Sequence, residues 1–142
     1  MPKTIVAIGG GKIGTRETLP IDREIIRLSN KKNPKFLFIP TARSDSEIYW
    51  KRVRKYFGDF LKCKTEVLFL IKEKPSRKQI RSKISSADII YVGGGNTLQM
   101  MRIWRRLGVD KLLIAAYEMG TVLAGISAGS ICWFDSGHSD SM

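Results

Sequence analysis

The amino-acid sequence predicts an α/β fold: a three-layer αβα sandwich around a mostly parallel, doubly wound sheet. Short apolar, β-branched runs alternate with segments of helical pattern, which is typical of consecutive βαβ units. The strand candidates are almost continuously hydrophobic, as in Phe36–Ile39 and Ile89–Val92. Strands buried on both faces of a parallel sheet have this composition. Glycine-rich turns also follow several of these strands, at the edge where such sheets bind ligands.

The first half of the chain predicts three strands and two helices. Thr4–Ile8 is an apolar run that begins close to the N-terminus, and a helical pattern follows near Ile21–Ser29. Lys35–Ile39 is the second strand candidate. Apolar positions at helical spacing then predict a long helix over Ser46–Leu61, and Thr65–Leu70 is the third strand candidate.

The second half continues the same alternation. Ser76–Ile84 is a helix candidate because a serine followed three residues later by Gln79 is typical of a helix start. Asp88–Val92 is the fourth strand candidate, and two helices are expected over Thr97–Arg106 and Val109–Glu118. The last strand candidate is Thr121–Ile126.

Length and composition limit the class of protein. The chain has 142 residues, of which 43% are hydrophobic, so one globular domain over residues 1–142 is expected. No apolar run approaches the length of a membrane span, and the N-terminus lacks the pattern of a signal peptide. Two cysteines, Cys63 and Cys132, are too few for a disulfide framework. They favour a reducing, cytoplasmic location.

The net charge of +12 raises the question of nucleic-acid binding. The basic residues are spread over several predicted helices whose other faces are apolar. Aromatic residues do not alternate with the charges, as stacking platforms for bases would require. The pattern therefore favours solvated helix faces and disfavours a nucleic-acid surface.

A Gly-x-Ser-x-Gly pattern at Gly125–Gly129 is the most informative motif. It follows the last strand candidate and precedes a segment that can be helical, which is the context of a nucleophile elbow. The small flanking residues permit the tight turn that exposes a serine hydroxyl. Ser127 is therefore the candidate nucleophile, although a simple glycine-rich turn would have the same pattern.

The run Gly93–Thr97 follows the fourth strand candidate. Glycines let the backbone approach a ligand closely, and Asn96 or Thr97 can cap the next helix. One backbone N–H of this run could form an oxyanion hole together with the N–H of Ala128. Two such donors would stabilise the charge of a tetrahedral intermediate.

Two other features are weaker. Gly9-x-Gly11-x-x-Gly14 fits a dinucleotide fingerprint in form, but no helix follows directly and no acid follows the second strand, so nicotinamide binding is disfavoured. A serine nucleophile also needs a base, usually a histidine oriented by a carboxylate. His138 is the only histidine, and Asp135 and Asp140 flank it. A surface histidine without a catalytic role would give the same sequence.

Taken together, the Val92–Thr97 and Gly125–Phe134 segments, with Phe38–Ala42 after the second strand, resemble the peptidase E family. Members of that family are serine peptidases related to cyanophycinase, with a class I glutamine amidotransferase-like fold. The resemblance implies hydrolysis of dipeptides or short peptides with an N-terminal aspartate, without a metal or cofactor.

The resemblance also assigns roles to residues of this chain. It makes Ser127 the nucleophile and gives the oxyanion hole to the N–H groups of Gly95 and Ala128. It matches the acidic triad member with Asp140, and less well with Asp135. Further substrate contacts are expected from the turn after the fourth strand, at Gly94, Asn96 and Thr97.

The sequence departs from the family pattern after Ser127. The family's catalytic histidine lies further along the chain than His138, and typical members are substantially longer. The resemblance implies that the family's C-terminal part is lacking, which would leave a sheet edge open for association with a second copy. A catalytically inactive relative that binds a ligand or a partner chain therefore stays open as an alternative.

Overall fold

A computed structural model describes residues 3–8 and 16–126. It contains one parallel sheet with the strand order β1-β5-β4-β2-β3. The strands are β1 (Thr4–Ile8), β2 (Lys35–Ile39), β3 (Lys64–Val67), β4 (Ile89–Val92) and β5 (Val122–Ile126). The helices are α1 (Leu19–Leu28), α2 (Glu47–Val53), α3 (Arg77–Ser86), α4 (Thr97–Leu107) and α5 (Val109–Glu118). The predicted α/β fold class is confirmed.

The sheet is covered by helices on both faces because its central strands are apolar on both sides. In β2, Phe36 and Phe38 pack into the core beneath α1 and α2, whereas Leu37 and Ile39 pack into the core beneath α3, α4 and α5. All four are at most 1% exposed. Successive side chains of a strand point to opposite faces, so a continuous apolar run fills two cores at once.

The first two helices differ from their predicted bounds. Helix α1 begins two residues before the expected Ile21, because Pro20 is well tolerated in the first turn, where no backbone donor is needed. The predicted helix Ser46–Leu61 is α-helical only to Val53 and continues as a π-helix over Arg54–Phe60. The wider turn still buries Tyr56 and Phe57 in the core.

The third strand ends earlier than the sequence predicts, at Val67 instead of Leu70. Leu68, Phe69 and Leu70 are buried all the same, but in the loop beyond the strand. The carboxylate of Asp45 holds this loop: its Oδ2 accepts hydrogen bonds from the backbone N–H groups of Ile71 (2.7 Å) and Lys72 (2.9 Å). The apolar run Leu68–Leu70 therefore predicts burial correctly but does not belong to the strand. The loop that it enters is held by the buried Asp45.

The predicted start of α3 is confirmed. Ser76 and Gln79 form a capping box at the start of α3. Cys63 is a buried free thiol, and its burial raises the pKa to about 12. Over residues 3–8 and 16–126, no helix combines the length and the apolar character that crossing a bilayer requires.

The order of the strands opens a crevice at one edge of the sheet. The chain leaves β2 toward β3 on one side, and it leaves β4 toward β5 on the other. Such a reversal separates the two connections above the carboxyl ends of the adjacent strands β2 and β4, where α/β proteins bind their ligands. The residues that follow β2 and β4 therefore form the candidate site.

Candidate active site

The turn Gly93–Asn96 follows β4 and is tied to the end of β2. The N–H of Gly93 donates to the carbonyl of Ile39 (3.2 Å), and the N–H of Asn96 donates to the carbonyl of Ala42 (2.7 Å). Gly93 and Gly94 are buried, whereas Gly95 and Asn96 are exposed. The turn is thus fixed from beneath and open to solvent at the predicted ligand-binding residues.

Gly95 occupies a conformation that only glycine tolerates here. Its φ is +148°, and a Cβ added to it would lie 2.2 Å from the carbonyl oxygen of Ala42. Among the described residues, no atom accepts a hydrogen bond from the Gly95 N–H. An exposed backbone donor on a turn held this closely is suited to bind a negatively charged oxygen.

Arg43 lies across this turn. Its Nε donates to the carbonyl of Gly94 (3.1 Å), and its guanidinium carbon lies 5.2 Å from the ring centroid of Tyr49. No described acidic side chain forms an ion pair with Arg43, and its side chain is exposed. A guanidinium oriented in this way keeps its terminal N–H groups available for a carboxylate.

Tyr49 contacts the same turn from α2. Its Oη accepts a hydrogen bond from the N–H of Gly94 (3.4 Å), and its ring packs edge-on against Phe38 at 5.0 Å between centroids. Burial raises the pKa of the Tyr49 phenol, while the bond from Gly94 and the charge of Arg43 oppose that shift. The phenol is therefore neutral at physiological pH and serves to orient the turn.

Helix α4 supports the site through two hydrogen bonds. Asn96 caps this helix, since its Oδ1 accepts a hydrogen bond from the N–H of Gln99 (3.1 Å). The indole of Trp104 donates to Thr41 Oγ1 (3.2 Å), and both side chains are fully buried. Of the two capping residues that the sequence allowed, Asn96 takes this role.

The residues after β5 lie outside the described part of the chain. These include Ser127, Ala128, Asp135, His138 and Asp140, so their predicted roles stay predictions; the same holds for the glycine run after β1. Ile126, the last described residue, ends β5 at the same edge of the sheet, and Val92 pairs with Gly125. The structure thus brings the end of β5 beside the turn that contains Gly95.

Sequence reasoning missed Arg43 and Tyr49. Neither belongs to a motif, and both reach the site only because β2 pairs with β4. One signal was available, since Arg43 lies four residues after the second strand, much as Gly95 lies three residues after the fourth. Over residues 3–8 and 16–126, no group of three or more His, Cys, Asp or Glu side chains is arranged to hold a metal ion.

The doubly wound parallel sheet and its glycine-lined crevice define an α/β protein whose ligand site lies at the carboxyl ends of the strands. The particular family follows from comparison with known proteins. The chain belongs to peptidase family S51, whose model matches residues 5–142. The resemblance to peptidase E seen in the sequence is thereby confirmed, and the family supports a hydrolase.

Relatives and solved structures agree with this assignment. The chain is 40% identical over 140 residues to the uncharacterized peptidase YgaJ of Bacillus subtilis. The aligned region covers 98% of this chain and 60% of that protein. A crystal structure of a Listeria monocytogenes protein assigned to peptidase E superposes with a TM-score of 0.71 at 27% identity, covering 89% of this chain and 59% of that one.

A second crystal structure, of a peptidase from an acI-B1 Actinobacterium, has a TM-score of 0.74 at 25% identity and covers 88% of this chain and 54% of that one. The chain thus spans between half and about three fifths of the length of these relatives.

Proposed function

We propose that this chain carries the nucleophile half of a serine peptidase that hydrolyses short peptides with an N-terminal aspartate. The single observation behind the proposal is the exposed Gly95 turn, which lies beside the end of β5 and directly precedes a braced helix. Ser127 follows Ile126 immediately in the sequence, so the nucleophile pattern and the candidate oxyanion donor belong to neighbouring strand ends.

In the proposed reaction, Ser127 Oγ attacks the scissile carbonyl carbon while a base removes the hydroxyl proton. The carbonyl oxygen becomes an oxyanion, and the N–H groups of Gly95 and Ala128 donate to it. The base then returns the proton to the leaving amine, and water releases the acyl group from Ser127. Within this chain, His138 oriented by Asp140 is the candidate for that base.

An active-site probe tests the proposal directly. A fluorophosphonate should label the wild-type chain and should not label Ser127→Ala, because the probe forms a bond only with an activated serine. Peptide mass mapping of the labelled protein should place the adduct on Ser127. Absence of an adduct on the folded wild-type chain would contradict an assembled nucleophile.

We further assign the recognition of the substrate's aspartate to Arg43. Arg43→Met keeps the aliphatic stem above the turn and removes the guanidinium. A charge-assisted hydrogen bond is worth about 1.5–3 kcal/mol, so kcat/KM for an N-terminal aspartyl p-nitroanilide should fall roughly 10- to 100-fold. The matched asparaginyl p-nitroanilide should be affected less than about threefold. Equal losses with both substrates would mean that Arg43 only supports the turn.

The alternative is a relative that binds a small acidic ligand at the same turn without turning it over. The same Arg43 and Gly95 favour it, because neither group needs a base. L-Aspartyl dipeptides would then bind to the wild-type chain in calorimetry, with an affinity that Arg43→Met weakens. No product would form over prolonged incubation, and this separates the alternative from the peptidase.

Two further expectations belong to the proposal. Among the strands that the structure describes, β1 and β3 lie at the two edges of the sheet, so a second copy could pair with one of them. The free, buried thiol of Cys63 favours action in the cytoplasm, where thiols stay reduced.

A further inference from the structure

A groove runs along α4, next to the turn that carries Gly95. It has a volume of about 600 Å³ and lies between α4 and the loop that follows β3. The volume is in the range of small-ligand sites. The buried Leu70 and the half-buried Ile103 form its apolar floor. Leu98, Arg102 and Arg106 of the helix and Lys74 of the loop complete its sides.

The groove combines an apolar floor with basic walls. Leu98 lies at its rim and is 65% exposed, so its apolar side chain is available to contact a ligand. Arg102 and Arg106 are one helical turn apart and share a face of α4, and Lys74 approaches from the loop. All three are exposed, and the lining contains no acidic residue. The charge is thus complementary to an acidic ligand with apolar side chains.

The groove is continuous with the candidate active site. Asn96 lines the groove and directly follows Gly95 in the turn. A helix of the length of α4 spans about 16 Å at 1.5 Å per residue, and an extended peptide rises about 3.3 Å per residue. The groove is therefore long enough for roughly four or five residues of an extended peptide that starts at the turn.

We propose that this groove, formed by α4 and by Leu70, Ile71, Lys74 and Pro75, binds the acidic residues of a peptide substrate beyond the scissile bond. The proposal rests on the proposed function, because it takes the Gly95 turn as the place of cleavage. It makes acidic peptides of about four to six residues better ligands than dipeptides. The apolar floor would take the leucine-like side chains between the acids, and Arg102, Arg106 and Lys74 would bind the carboxylates.

A binding measurement tests this without any need for turnover. A fluorescein-labelled hexapeptide, Asp-Leu-Glu-Glu-Leu-Glu, is titrated with the Ser127→Ala chain and followed by fluorescence anisotropy. The expected dissociation constant rises at least tenfold when Arg102→Glu and Arg106→Glu are combined, and about threefold for Lys74→Glu. The peptide with glutamine in place of each glutamate should bind at least fivefold more weakly than the acidic one.

Arg105→Glu is the matched control. Arg105 is exposed on the same helix but does not line the groove. It changes the net charge by the same amount as one of the groove substitutions, and the dissociation constant should stay within twofold. Equal weakening by Arg105→Glu and by Arg102→Glu would overturn the proposal, because the peptide would then respond only to the overall charge of +12. Absence of measurable peptide binding would overturn it as well.

The groove proposal and the peptidase proposal can fail independently of each other. In one outcome, the fluorophosphonate labels Ser127 while the groove substitutions leave the peptide affinity unchanged. That result would contradict the groove proposal alone. Groove-dependent peptide binding by a chain that no probe labels would remove the peptidase proposal and leave an acidic-peptide binding site.

Discussion

Replacing Gly95 by alanine is expected to be the most damaging single-methyl change in the described part of the chain. The new Cβ would lie 2.2 Å from the carbonyl oxygen of Ala42, and the φ of +148° is itself unfavourable for a side chain. Neither partner can move freely, because the same carbonyl accepts the N–H of Asn96. Backbone strain and overpacking each cost about 1–3 kcal/mol, so the free energy of unfolding should fall by about 3 kcal/mol or more.

Urea unfolding measures this loss, and Gly108→Ala is its control. Gly108 also has a positive φ, +74°, but its added Cβ would meet only Arg77 Nη1 at 3.7 Å. That variant should lose about 1 kcal/mol, the ordinary cost of alanine in this conformation. Gly95→Ala should also lose fluorophosphonate labelling of Ser127 while Gly108→Ala keeps it. Equal stability losses would mean that the Gly95 turn is free to shift.

Removing the carboxylate of Asp45 is expected to give the second largest effect. Asp45 is fully buried, and its Oδ2 accepts both N–H groups that fix the loop after β3. Asp45→Ala would leave those two donors without their acceptor. Hydrogen bonds to charged groups contribute about 1.5–3 kcal/mol each and are not fully additive, so a loss of about 3–4 kcal/mol in unfolding free energy is expected.

Asp45→Asn separates the hydrogen bonds from the charge. Its amide oxygen can still accept from Ile71 and Lys72, while its nitrogen would occupy the place of Oδ1, which has no hydrogen-bond partner among the described residues. This variant should lose about half as much stability as Asp45→Ala in the same urea titration. An alanine variant within about 0.5 kcal/mol of wild type would show that the loop after β3 is held by its apolar side chains alone.

The strands could be predicted because each is a buried run, and buried parallel strands are apolar without interruption. Four of the five strands end at the predicted residue, and their starts agree within one residue. The third could not be predicted, because Leu68–Leu70 is as apolar as a strand but is buried in a loop. The loop that continues from β3 is held by Asp45, whose partners Ile71 and Lys72 are more than twenty positions away in the sequence, and no local pattern contains such a contact.

The part of the candidate site that contains Gly95 and Asn96 could be predicted from the sequence. The close approach of Gly95 to Ala42 requires glycine, and the cap by Asn96 is a local interaction. Arg43 and Tyr49 could not be predicted, because their contacts with Gly94 depend on the pairing of β2 with β4. The roles of Ser127, Ala128, His138 and Asp140 stay predictions of the sequence alone.

The position of β1 has a consequence for the order in which the fold assembles. Within the described part of the chain, the first strand to leave the ribosome pairs only with β5, the last one. Residues 4–8 therefore cannot join the sheet until more than a hundred further residues have been synthesised and β5 is in place. Closing so large a loop is slow, since its entropy is lost before the pairing energy is gained. The half made of β2, β3 and β4, whose pairings are closer in sequence, is the part expected to form first during translation.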